Sequence, residues 1–80
     1  MSNLEKTAED LAEKAMKLAK ETGDITVVDK VSKAIGDTSS TLQEAYLTAV
    51  RIASAAERGH ELLDQIKSGQ NVDNLDNPNL

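Results

Sequence analysis

Leu42, Ala45, Ala49, Ile52, Ala56, Gly59, Leu63 and Ile66 recur at alternating steps of three and four residues. That is the spacing of one helical face, and it predicts a single long helix. Most of the middle of this seam is Ala or Gly, so another helix backbone can come close. The first half of the helix is apolar beyond the seam, because Tyr46, Leu47, Val50 and Ala53 widen the face. A helix apolar over so much of its circumference needs at least two neighbours.

Leu4, Ala8, Leu11, Ala15 and Leu18 form a second seam of alternating steps, flanked by Ala12 and Ala19. It predicts a first helix opened by a capping box at Ser2 and Glu5 and closed near Thr22-Gly23, with Gly23 left-handed. Asp10–Lys14 and Glu13–Lys17 are favourably spaced ion pairs on its outer face. A shorter middle helix follows, with Asp24 as N-cap, Gly36 as closing residue, and Ile25, Val28, Val31 and Ile35 on one face beside Val27 and Ala34. Ile25-Thr26-Val27-Val28 has strand composition, but the chain offers no second strand to pair with it. Asp37-Thr38-Ser39-Ser40-Thr41 is a run of capping residues, in which Ser40…Gln43 and Thr41…Glu44 are rival capping boxes for the third helix. That helix is expected to run to about Lys67, roughly 40 Å at 1.5 Å per residue.

The expected fold is therefore all-α. It has three helices: a long antiparallel hairpin of helices 1 and 3, with the short middle helix folded into the connection. In that arrangement Leu4, Leu11 and Leu18 lie against Leu63, Ala56/Ile52 and Ala45/Ala49 respectively. Residues 1–69 form one helical domain. Residues 70–80 are Asn/Asp-rich and aperiodic, and are expected to be a disordered polar tail; Val72, Leu75 and Leu80 within it leave open a short docking peptide.

Composition sharpens this picture. In 80 residues there is one aromatic, Tyr46, and no cysteine, so neither a disulfide nor a thiolate zinc site can reinforce the core. A single core in so short a chain supplies about 3–5 kcal/mol, which argues for self-association or a partner. The net charge of −5 argues against nucleic acid and anionic membranes: Lys6, Lys14, Lys17 and Lys20 are cancelled by interleaved Glu5, Glu9, Asp10, Glu13 and Glu21. No apolar run approaches the length of a membrane span, and the first residues lack the pattern of a signal peptide. A cytoplasmic location is expected, with signal-less export open.

One constellation carries chemistry. Glu57-Arg58-Gly59-His60 contains Glu-x-x-His, half of a carboxylate-bridged di-metal motif, to which Glu9 or Glu13 could add carboxylates. The preferred reading keeps Glu57 and His60 on the surface, because Glu57 lies off the seam and His60 at its edge. No metal and no cofactor is then assigned. No nucleophile set and no phosphate loop is present, so no enzyme is expected.

The function expected is a non-enzymatic interaction module. It self-associates or docks a helical partner through Tyr46, Leu47, Val50, Ile52, Ala56 and Gly59. In size and hairpin plan the chain also resembles type III secretion needle subunits and their co-chaperones, a resemblance of architecture that implies a subunit or small chaperone of a secretion or filament assembly. The third alternative is a metal-binding hairpin built on Glu57 and His60.

Overall fold

Three helices account for nearly all of residues 3–69, the part of the chain that the computed structural model describes: α1 (Asn3–Thr22), α2 (Thr26–Gly36) and α3 (Ser40–Lys67). The cap expected at Ser2 and the tail expected over 70–80 lie outside the described residues. The described residues contain no strand. The β-branched run at the start of α2 is helical because its period-3.6 face, not its composition, matches the apolar surface available to it.

The helix ends follow local chemistry. Gly23 is left-handed, with φ of 76°, and its N–H donates to the Ala19 carbonyl at 2.8 Å, an αL cap that only glycine adopts without strain. The N-cap position of α2 falls on Ile25, which has no side-chain cap; Asp24, one residue earlier, supplies the bonds instead, its Oδ1 accepting from the Thr26 backbone N–H at 2.9 Å and from the Thr26 hydroxyl at 2.6 Å. At α3 neither expected capping box forms. Ser39, in extended backbone, takes the N-cap and its hydroxyl accepts from the Leu42 N–H at 3.0 Å. That choice releases Gln43 for a different task.

Helices α1 and α3 make the most extensive pairing of the three. They do not run antiparallel. Lys20, near the end of α1, bonds Glu57 of α3 at 2.6 Å, while Glu5, near the start of α1, shares a groove with Ala45 and Thr48. The two helices are parallel. The reason is that α2 lies between three-residue connections and serves as an antiparallel partner to both neighbours, so two reversals cancel. The expected contacts of Leu4 with Leu63, Leu11 with Ala56/Ile52 and Leu18 with Ala45/Ala49 are thereby ruled out.

The core differs in phase from the expected leucine seam. Ala8, Ala12 and Ala15 of α1 are buried together with Tyr46, which is fully enclosed. Leu11, Val27, Val28, Val31, Ile35, and Leu42 are half-buried around them. Leu4 and Leu18, which belong to the expected seam, are exposed, as is Ile25. One large ring fills the junction of three helices, and alanines opposite it let α1 approach closely enough to touch it. The Tyr46 hydroxyl donates to the Val28 carbonyl at 2.9 Å, tying α3 to α2.

Candidate functional site

Because α1 has 20 residues and α3 has 28, the parallel pairing leaves α3 longer than its support. Lys20 meets Glu57 close to the end of α1. Every residue of 58–69 is exposed. The small-residue seam of α3 therefore divides into two parts. Its first part, at Ala45 and Ala49, faces α1 and is half-buried. Its second part, Ile52, Ala56, Gly59, Leu63 and Ile66, is exposed, with Ile52 at 64%, Leu63 at 62% and Ile66 at 49%.

A groove between α1 and α3 feeds into this stripe. Its apolar lining comes from Ala12 and Met16 of α1 and from Ala49, Ile52 and Ala53 of α3, and it encloses about 350 Å³. Carboxylates border it: Glu9 and Glu13 on the α1 side and Glu57 on the α3 side. A second depression continues toward the start of α1, where Glu5, Glu9 and Thr48 meet Ala45, Ala49 and Ile52. Ile52 lines both, so groove and stripe are one surface.

The residues expected to dock a partner do not act together. Tyr46 is in the core and presents nothing to a partner. Leu47 and Val50 are half-buried against the same core. Ile52, Ala56 and Gly59 are exposed on one face. Among the described residues nothing lies within 4 Å of a Cβ placed on Gly59, so neither α1 nor α2 approaches it. The widened apolar face is not one surface: its Tyr46 side is satisfied by α2, and its other side, at Ile52 and Ala56, is open. The groove residues Ala12 and Met16 escaped the sequence reading because the expected antiparallel pairing put other residues beside α3.

The Glu57–Lys20 bond has a local consequence. The hydrogen bond to Glu57, and then the charge of Glu57, hold the Lys20 ammonium above its ordinary pKa. Glu57 is thus already occupied, and His60 is exposed on the projecting part of α3. Among the described residues no three His, Cys, Asp or Glu side chains converge as metal ligands. Nor is any helix among them long and apolar enough to cross a membrane.

Comparison with protein-family models, curated proteins and solved structures gave no match. The surface must be read from its own chemistry.

Proposed function

We propose that this chain is a non-enzymatic docking module whose partner is a helix laid along the α1/α3 groove and the exposed stripe of α3. The observation that supports the reading is the projection of α3: residues 58–69 are all exposed, yet Leu63 and Ile66 continue the apolar line that begins at Ile52. Large apolar side chains repeated along one unsupported helical face are the geometry of a helix-packing surface. Gly59 and Ala56 at its centre would let a second backbone come close. The groove offers apolar side chains and carboxylates, with no nucleophile and base arranged for covalent chemistry.

The test combines two measurements. Light scattering coupled to size exclusion gives mass against concentration for the wild type and Leu63→Asp. A titration of the isotope-labelled chain with a neutral Leu/Gln amphipathic helical peptide follows the backbone amides of α3. A dimer that Leu63→Asp dissociates, or peptide-induced shifts confined to the groove and stripe, supports docking. A strict monomer whose α3 amides do not respond to the peptide removes it. Mass that grows without limit with concentration would favour a filament subunit, since such growth needs a second surface that does not close.

A further inference from the structure

The bonding of the carboxylates around the groove distinguishes among partners. Glu9 and Glu13 lie four residues apart on α1 and form the acidic edge of the groove. The i,i+4 partner expected for Glu13, Lys17, is not within ion-pair distance, whereas Lys14 pairs with Asp10 and Lys20 with Glu57. Glu13 instead borders the apolar floor. Like charges four apart on a helix repel, costing roughly as much as an opposite pair gains. The groove edge therefore holds an unfavourable arrangement that an incoming cation would relieve.

Resting on the docking reading above, we propose that the occupant is an amphipathic helix of another protein with lysine or arginine beside its apolar stripe. Its apolar residues lie on Ala12, Met16, Ala49, Ile52 and Ala53, and its cations face Glu9 and Glu13. A partner about 18 residues long would reach from the level of Thr48 to that of Ile66 at 1.5 Å per residue. Charge decides against a second copy as occupant. The exposed part of α3 carries Glu61 and Asp64 among Arg58, His60 and Lys67, so a copy of it would bring carboxylates as well as cations to an acidic edge. The basic helix brings only cations, and the net charge of −5 favours its approach.

The test is fluorescence anisotropy with three labelled 18-residue amphipathic peptides that share one leucine stripe and differ in having Lys, Gln or Glu at the flanking positions. The wild type is compared with Glu9→Lys/Glu13→Lys, with Ile52→Asp, and with Glu21→Lys/Asp37→Lys, which makes the same change in net charge away from both the groove and the stripe. Circular dichroism checks that each variant keeps its helices. The expected result is that the Lys peptide binds best and weakens as salt rises from about 0.05 to about 0.5 M. The Glu9/Glu13 reversal should weaken it about tenfold, Ile52→Asp should weaken it, and the Glu21/Asp37 reversal should leave it within about threefold. Equal loss in both charge reversals would overturn the proposal, because the attraction would then be to net charge alone. Equal binding of the Gln and Lys peptides would overturn the basic partner while sparing helix docking. Binding of no peptide, with a dimer that Ile52→Asp dissociates, would make the second copy the occupant. Binding of no peptide by a strict monomer would remove both readings.

Discussion

Gly36 and the side chain of Gln43 occupy the same space: a Cβ on Gly36 would lie 2.5 Å from Gln43 Nε2 and 2.7 Å from its Cδ. Gly36 is the last residue of α2 and its φ is not positive. It serves close approach, rather than the left-handed turn that usually recruits glycine at a helix end. The space it leaves lets Gln43 Nε2 donate to the Ser32 carbonyl at 2.9 Å and to the Ser32 hydroxyl at 3.3 Å. Ser32 is the one buried polar residue of α2, and this bond links it to α3.

Gly36→Ala is therefore expected to displace the Gln43 amide. The gain in helix propensity, up to about 1 kcal/mol, offsets the lost hydrogen bonds, each worth about 0.5–1.5 kcal/mol. Net stability should change by less than about 1 kcal/mol. A double-mutant cycle in urea checks the coupling: Gln43→Ala should destabilise the wild type and have little effect beside Gly36→Ala.

Tyr46 is the load of the core. Tyr46→Phe keeps the ring and loses the bond to the Val28 carbonyl, so thermal or urea unfolding should show a loss of about 0.5–1.5 kcal/mol. Tyr46→Ala should cost about 3–5 kcal/mol, comparable to the whole stability of so small a core, and circular dichroism should show a chain largely unfolded at room temperature.

Gly59 separates stability from docking. Among the described residues no atom lies near its Cβ position, so Gly59→Ala should stabilise the isolated chain by about 0.5–1 kcal/mol. If a partner backbone passes over it, the same variant should bind the Lys peptide more weakly. Tighter binding would place the crossing elsewhere on the stripe.

Asp24 gives α2 an acid sensitivity. The hydrogen bonds from the Thr26 hydroxyl and then the Thr26 backbone hold its carboxyl below the ordinary value of 3.8. The folded chain thus binds this proton less readily than the unfolded chain. The cap's contribution is present above the unfolded pKa and is lost as pH falls through the depressed folded one. Asp24→Asn keeps an acceptor of similar capping strength, so it should preserve α2 while removing this part of the acid dependence. Carbon-detected titration of Asp24 beside urea unfolding at several pH values checks both statements.

The sequence made the helices legible because their periodicity and caps are local. Gly23, Asp24 and the end near Lys67 act through bonds within one or two turns. Direction was not local. Whether α1 meets α3 parallel or antiparallel depends on α2 being long enough, at 11 residues, to count as a full leg between two reversals. The phase of α1 was hidden for a related reason. Leu4 and Leu18 look like core residues beside Ala8 and Ala15, but the bulk at the junction comes from Tyr46, so α1 turns its alanines toward it. At the candidate site, Ile52, Ala56 and Gly59 could be read from spacing alone. The groove edge at Glu9 and Glu13 could not, since it exists only once α1 lies parallel to α3.

Amide hydrogen exchange along α3, with and without the Lys peptide, tests the docking surface most directly. An isolated stretch of helix as short as residues 58–67 is marginal in water, so these amides should exchange rapidly in the free monomer, whereas those around Tyr46 should be protected. Adding the peptide should slow exchange over residues 58–67. Exchange there that stays unchanged at saturating peptide would contradict a partner helix on the projecting end of α3.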